Sequence, residues 1–387
     1  MINIKINYQK KIENTYFKIF KAKDGNAYGI RLAYPNSSDA VFIKEIFKDI
    51  YGWDYLYPIV YDIELLNKSF QKESDLWFIA EDIDSKEGVG IGLFERHDQF
   101  SIYMGKLCVK NKFHGLGLSS VLGSHIISHL MMVPESKSLL RFDCDVRANI
   151  ISSQKFLEKA RAIPYGFIAN YNNYTDKRTN EILLGIPITA GELGSVIMYA
   201  NYLSKLWKKR RKNITLLDND KIITMYEIIR SINRQMKKDN IILKKDYKTN
   251  HESYRISKDF YKATLKIEGY LCKNTLKQIL NYYSNWNVIE WRVPANDLGI
   301  HSQNIALNNG FIVSGYDPGS FYLNQLEDTI LFCKYPRGID FSQFDYLNLT
   351  RRNKLIVDNI MPNLEEKKIK KINQTKKHEV EIQCWNN

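Results

Sequence analysis

Cys108-Val109-Lys110-Asn111-Lys112-Phe113-His114-Gly115-Leu116-Gly117-Leu118-Ser119 is the stretch on which the reading of this chain turns. It lies where the apolar run Ser101 to Val109, an expected strand, gives way to a helical pattern from about Gly115 to Met132. Two glycines and small side chains at a strand-to-helix turn let successive backbone N–H groups converge on an anion. The helix N-terminus adds a favourable dipole. Such a turn makes a pyrophosphate cradle, although a glycine turn that only permits close packing has the same local sequence. The order of the flanking elements decides between the two.

Upstream, Tyr28 to Tyr34 reads as a strand. Ser37-Ser38-Asp39 then precedes Val41, Ile43, Ile46, Phe47 and Ile50, which recur at helical spacing. The aromatic loop Tyr51, Trp53, Tyr55, Tyr57 leads through Pro58 into a second helical stretch, Ile59 to Phe70. Leu76–Ala80 and Gly88–Phe94 flank the turn Asp82 to Glu87 and predict an antiparallel hairpin. Downstream come strand Leu139–Val146, helix Ile151–Ala160, strand Tyr165–Ala169 and strand Glu181–Ile186. The order is β, α, α, β, β, β, α, β, α, β, β. A fainter copy of its later part follows: strand Tyr261–Leu271, helix Asn274–Tyr283, strand Val288–Val293, helix Ser302–Asn308, and strands Phe311–Gly315 and Thr329–Lys334.

Composition narrows the function classes. The 387 residues suffice for two domains, and 44% hydrophobic with 26% charged residues is globular, not disordered. Fifty-six Lys plus Arg against 43 Asp plus Glu give +13, which favours acidic partners without choosing among nucleotides, nucleic acid, anionic lipid or acidic proteins. The Lys is concentrated in Lys208–Lys212 and in the tail Lys367–Lys377. Five scattered cysteines with no CxxC pair suit reduced thiols in a cytoplasm. The N-terminus has no signal-peptide pattern, and no run of 18 apolar residues occurs. Ile188–Trp207, the nearest approach, reads as an interdomain helix running into basic residues.

The glycine turn after the fourth strand, with helix, strand and helix following, resembles the GNAT superfamily of acyl-CoA-dependent N-acyltransferases, whose loop is written Q/R-x-x-G-x-G/A. Gly117 matches, His114 stands for the Gln or Arg, Ser119 stands for the last Gly or Ala, and Gly115 is an additional glycine. A second signature of the family, an Asn after the fifth strand, is matched by Asn149, and Gly166-Phe167 follows the next helix. The resemblance covers residues 27 to 187. It implies that Leu107 and Val109 align an acyl-pantetheine arm through their backbone and that His114, Gly115, Leu116, Gly117, Leu118, Ser119 and Asn149 bind the cofactor. In the second half, Glu290 to Asn296 and Ser302 to Phe311 look like the same strand, helix and Gly-Phe signature, but no glycine cradle precedes them. That half is expected not to bind CoA and to shape the acceptor site of the first.

Acyl transfer from a thioester to an amine needs an unprotonated nucleophile, a donor to the carbonyl oxygen and a proton source for the leaving thiolate. The family frequently places a Tyr acid on the helix after the fifth strand, where this chain has Phe156 and Leu157. Tyr165, Tyr171 and Tyr103 are the candidate acids. Asp143 and Asp145, alternating with apolar residues on their strand, are the candidate bases, with Glu95 and His97 as alternatives. His125 and His129 are four apart but lack a third ligand, so no metal is expected. Cys108 beside the cradle reads as a buried hydrophobe, and the Tyr51–Tyr57 aromatics as an acceptor-pocket wall or as packing.

The expectation is therefore an α/β (α+β) protein with a mixed, largely antiparallel GNAT-like sheet flanked by helices, in two tandem domains. The boundaries are an arm at 1–26, an acyl-CoA-binding domain at 27–190, a helical basic linker at 191–220, a degenerate copy at 221–340 and a basic tail at 341–387. The implied reaction moves an acetyl or other acyl group from acyl-CoA to an amine-bearing small molecule, peptide or carrier-linked acceptor. The alternatives are a non-catalytic CoA-binding or scaffolding protein and a nucleic-acid-associated module using Lys208–Lys212, the tail and Trp385.

Overall fold

Most of the runs read as strands lie in one large sheet in the computed structural model, which describes residues 16–96, 98–132, 137–178, 185–247, 249–322 and 325–366. β1 (Lys18–Lys21), β2 (Ala27–Leu32), β3 (Asp75–Asp82), β4 (Gly88–Arg96) and β5 (Ser101–Val109) form an antiparallel series. β6 (Arg141–Arg147) joins β5 in parallel, and β8 (Glu192–Tyr202) and β7 (Ile163–Tyr174) complete the half antiparallel. Alternate residues of each strand face opposite sides. Trp77 and Ile79 of β3 therefore meet Phe47 of α1 (Asp39–Tyr51) and Phe70 of α2 (Ile63–Gln71) on one face. Leu76 and Phe78 meet Leu122 and Ile126 of α3 (Leu118–Met132) on the other. The helix α4 (Ile151–Lys159) follows β6.

A short helix α5 (Ser204–Lys209), a parallel pair β9 (Asn213–Leu217) and β10 (Asn240–Lys244), and α6 (Asp220–Ile232) lead into the second half. There β11 (Ser253–Asp259), β12 (Thr264–Tyr270), α7 (Lys273–Tyr282), β13 (Val288–Pro294), α8 (Gly299–Asn308), β14 (Ile312–Tyr322) and β15 (Gln325–Lys334) follow in order. The 13 strands run β1-β2-β3-β4-β5-β6-β8-β7-β14-β15-β13-β12-β11. Read outward from the β7·β14 seam, both directions give the same succession of pairings, and the parallel pair falls at the same place in each, β5·β6 and β12·β13. Two buried glutamines repeat the match. Gln154 donates to the Ala148 carbonyl at 3.1 Å, and Gln303 donates to the Pro294 carbonyl at 3.2 Å.

The seam is a close backbone contact. Gly166 faces Gly315, and a Cβ on Gly315 would lie 2.4 Å from the Tyr165 carbonyl oxygen. Around it Asp317 accepts from Arg141 at 2.9 Å, from Arg292 at 3.2 Å and from the Tyr202 hydroxyl at 2.9 Å, all buried. Arg141 also pairs with Asp143 and Arg292 with Glu290, so each arginine of the seam has two carboxylate partners.

Several sequence expectations need correction. Residues 191–220 are not a helical linker: most of Ile188–Trp207 is β8, which lies between β6 and β7. A strand covered on both faces is continuously apolar, as a buried helix is, and Val196, Ile197, Tyr199 and Tyr202 were the β-formers that distinguish it. Within the basic run, Arg210 is buried and donates to Asp239 at 2.7 and 2.8 Å and to Asp328 at 2.7 Å. Residues 341–387 are not simply a tail. Residues 351–366 form a helix, α9, that buries Ile356, Val357, Ile360 and Leu364 in the core shared by the two halves. The arm at 1–26 contributes β1 as an edge strand. Of the expected strand Glu181–Ile186, residues 181–184 lie outside the described residues, as do the tail lysines 367–377, Trp385 and His97, while Gly185 and Ile186 are not in a strand. Among the described residues no helix is long and apolar enough to cross a membrane.

Gly315→Ala forces a methyl group against backbone at the seam. Overpacking of this kind costs about 1–3 kcal/mol, and urea unfolding should show that loss. A midpoint equal to the parent's would mean that the seam does not require close backbone contact.

Candidate functional site

The parallel β5·β6 pairing stops early. It consists of Ser101↔Arg141, Ile102↔Phe142 and Tyr103↔Asp143, after which the two strands separate. On its other edge, β5 carries one residue more than β4 between the pairs Ile91↔Cys108 and Leu93↔Gly105. Lys106, within this bulge, has φ of 53°. A bulge bends its strand and increases local twist, which turns β5 away from β6. Residues 103–107 and 145–147 are consequently half-buried in the interior of a large sheet. The corresponding pair in the second half is closed: β12 and β13 pair at five successive positions, Thr264↔Val288 to Glu268↔Arg292. There Trp291 also donates its indole N–H to the Gly269 carbonyl at 2.9 Å.

The glycine turn stands at the wide end of the opening. Gly115 and Gly117 have φ of 84° and 80°, and a Cβ on either would meet nothing within 4 Å. Among the described residues, the N–H groups of Gly115, Leu116, Gly117, Leu118 and Ser119 donate to no protein acceptor. Five consecutive unused donors ahead of α3 are free to donate to an anion. The His114 ring turns back to the Val109 carbonyl at 2.9 Å, so it braces the loop and does not point a donor at the cradle. Asn149 is exposed at the turn between β6 and α4. That turn is held from behind by the C-terminal segment: Asn348 N–H donates to the Ala148 carbonyl at 3.1 Å and Asn353 donates to Gln154 at 2.7 Å.

At the narrow end the Tyr103 hydroxyl donates to Asp145. Burial, then the Asp145 charge, holds the Tyr103 phenol well above its usual pKa, so it stays protonated. Tyr57 and Tyr171 are held protonated in the same way, burial first. Lys106 lies 5.1 Å from the Tyr57 ring centroid and 3.4 Å from Glu95. The Arg147 guanidinium stacks on Tyr174 at 4.0 Å and on Tyr51 at 5.0 Å. Residues of the second half complete this wall: Asp259 accepts from the Tyr57 hydroxyl at 2.7 Å, and Lys262 lies 4.5 Å from the Tyr171 ring centroid.

The sequence candidates divide accordingly. Tyr103 and Asp145 meet at the opening, and the Tyr171 ring lies under the Lys262 ammonium at 4.5 Å. Tyr165 does not reach it, because its hydroxyl accepts from Arg292 at 3.2 Å in the buried seam. Asp143 is held by the Arg141 guanidinium, with Nε at 3.0 Å, in the same network. Cys108 is buried and its thiol pKa is pushed up to about 11, so it is no thiolate nucleophile. His129 stacks on Phe17 at 4.2 Å, and His125 lies 5.9 Å from Phe20. Sequence reasoning missed Asp259, Lys262 and Lys177. The first two lie about the β11–β12 turn, and no local signal marks a turn that acts only on a distant part of the chain.

No protein-family model and no curated protein matches the chain. Among solved structures, it is similar to a ribosomal-protein-S5-alanine acetyltransferase from Vibrio fischeri, at 14% identity over 49% of this chain and 98% of that one, with a TM-score of 0.37. It is also similar to the ribosomal-protein-S18-alanine N-acetyltransferase of Escherichia coli (15% identity, 45% and 94% covered, TM-score 0.33). A spermidine N-acetyltransferase from Vibrio cholerae, in complex with CoA and spermine, gives 15% identity, 46% and 96% covered, and a TM-score of 0.35. The fold is GNAT-like. Its own strand order carries that statement: antiparallel strands, one parallel pair opening towards a glycine turn, and a closing antiparallel pair.

Lys177, at the end of β7, is buried, and burial depresses its pKa from 10.5 to about 8. Below pH 8 folded and unfolded chains both hold the proton, and the full cost of burying the charge is present. Between pH 8 and 10.5 the folded chain releases it first, so this residue's contribution to stability rises with pH. The gap in urea midpoint between Lys177→Met and the parent should therefore narrow from pH 7.5 to pH 10. A pH-independent gap would show that Lys177 is not desolvated.

Proposed function

We propose that this protein is an N-acyltransferase that moves an acetyl or other acyl group from acyl-CoA to a primary amine by direct attack. The observation that carries the reading is the early end of the β5·β6 pairing beside five unused N–H donors. The pyrophosphate of CoA would lie on the N–H groups of Gly115 to Ser119. The pantetheine arm would enter between β5 and β6, taking the place of the missing strand pairing. A backbone N–H of Leu107 or Val109 would polarise the thioester carbonyl.

The amine nitrogen attacks the thioester carbon, the C–S bond breaks, and the nitrogen proton passes to Asp145. Tyr103 gives its hydroxyl proton to the departing thiolate and recovers one from Asp145, so the pair ends as it began. The mirrored strand order and the paired glutamines support a tandem duplication in which the second half has lost its opening and serves the acceptor side of the first. We place the activity in the cytoplasm, in keeping with the free thiols of Cys108, Cys144, Cys272 and Cys333.

Calorimetric titration with acetyl-CoA and with CoA should show binding that falls at least about tenfold in Gly117→Val. The substitution puts a β-branched side chain on a backbone at φ of 80°, a conformation such residues rarely adopt, and so disturbs the loop that carries the donors. Undiminished binding would contradict the cradle, and binding without CoA release in the presence of amines would favour a non-catalytic protein. In the same assay Tyr103→Phe should lower kcat by roughly 10²-fold and leave acetyl-CoA affinity unchanged. An unaltered kcat would remove Tyr103 from the reaction.

A further inference from the structure

Two basic stretches of the segment that joins the halves lie side by side. Lys208 to Lys212 runs from the end of α5 towards β9, and Arg234 to Lys238 forms a 3-10 turn ahead of β10. Because β9 and β10 are parallel and their pairing starts at Asn213↔Asn240, both stretches arrive at the same end of the pair. The Asn240 N–H donates to the Lys212 carbonyl at 2.8 Å, and Arg210 donates to Asp239 at 2.7 and 2.8 Å. Paired strands lie about 4.8 Å apart, so the cations of each stretch stand in the field of the other.

Residues 204–240 hold eleven Lys and Arg against four Asp and Glu, so much of the chain's excess positive charge is gathered here. Crowding like charges works against folding. Asp239, the single carboxylate of the two stretches, does not offset the surface charge, because its side chain is buried against Arg210. Arg211 pairs with Glu327 at 3.1 Å. Among the described residues Lys208, Lys209, Lys212, Arg234, Lys237 and Lys238 are exposed and form no ion pair within 4.0 Å.

The exposed side chains select the class of anion. Every exposed residue of 208–213 and 234–240 is Lys, Arg, Asn or Gln, and the apolar Met236 is buried. A basic surface that enters a bilayer presents apolar side chains beside its cations, and these two stretches expose none. Lys, Arg, Asn and Gln are the donors that hold sugar–phosphate backbones. Between the two rows of cations lie the side-chain amides of Asn213 and Asn240, in contact at 3.3 Å. Two cationic rows flanking polar amides suit a polymer that repeats a negative charge at every unit.

We propose that this end of the β9·β10 pair binds the sugar–phosphate backbone of a nucleic acid, by charge and not by base sequence. The surface is separate from the β5·β6 opening, and the inference is independent of the acyl-transfer reading. It gives the segment between the halves a binding role of its own.

The test is fluorescence anisotropy of the full chain with labelled single-stranded RNA and duplex DNA, each of about 20 residues, from roughly 50 to 300 mM salt. Binding of either should weaken with salt, with a log–log slope of about −4 to −5 if the six unpaired cations each meet a phosphate. Lys237→Gln with Lys238→Gln should weaken binding at least about tenfold and reduce the slope by about 2. Lys273→Gln with Lys277→Gln, the same charge change on exposed positions of α7, should leave both nearly unaltered. All four positions are exposed, so both double variants should melt with the parent. No binding at low salt, a salt-independent affinity, or an equal loss in the two double variants overturns the proposal. Binding to phosphatidylserine vesicles or to polyglutamate in place of nucleic acid also overturns it and assigns the surface to lipid or to an acidic protein.

Discussion

The backbone contact between Gly166 and Gly315 is the constraint on which the rest of the molecule depends. It lets β7 and β14 meet edge to edge, so two half-sheets become one of 13 strands. Across the seam Arg141 of the first half donates to Asp317 of the second, and Arg292 of the second donates to the Tyr165 hydroxyl of the first. Because the two strand orders are mirrored about this line, the halves have a fixed relation. The β11–β12 turn is thereby brought against Tyr57 and Tyr171, where Asp259 and Lys262 enter the wall of the opening.

The same topology has two outcomes. In the first half a bulge at Lys106 and three residues of parallel pairing leave a gap in the sheet, and a glycine turn with unused donors stands at its mouth. In the second half five residues of pairing close the equivalent place, and β12 reaches α7 without a glycine loop. An opening in the middle of a sheet sacrifices backbone hydrogen bonds, and polar groups left unpaired there are costly unless water or a ligand satisfies them. On the proposed reading a ligand occupies the open half, while the closed half retains its pairing.

Much of this could be read from residues. The glycine turn, the helix before it with Ile43, Ile46 and Phe47, and the Asn-to-Gly-Phe signature in both halves were visible because each depends on neighbours in sequence. The seam was not visible, since nothing in Gly166 or Gly315 announces that they face each other. β8 was mistaken for a helix because its apolar run is covered on both faces, and α9 was hidden in a basic C-terminal stretch whose apolar positions pack far from their sequence neighbours. At the site, Tyr103 and Asp145 were among several equal candidates until the end of the β5·β6 pairing set them together. Tyr165 and Asp143 were equally plausible by sequence and belong to the seam. Lys177 and Lys262 carried no sequence signal, because a lysine's burial is decided by what folds over it.

The central claim is that the gap between β5 and β6 receives an acyl-thioester. A crystal structure with a non-reactive thioether analogue of acetyl-CoA tests it most directly. The account predicts the pyrophosphate on the N–H groups of Gly115 to Ser119, with the pantetheine arm lying between the separated strands and its acyl end beside Tyr103. An analogue bound elsewhere, or a gap that stays vacant at saturating ligand, would contradict it.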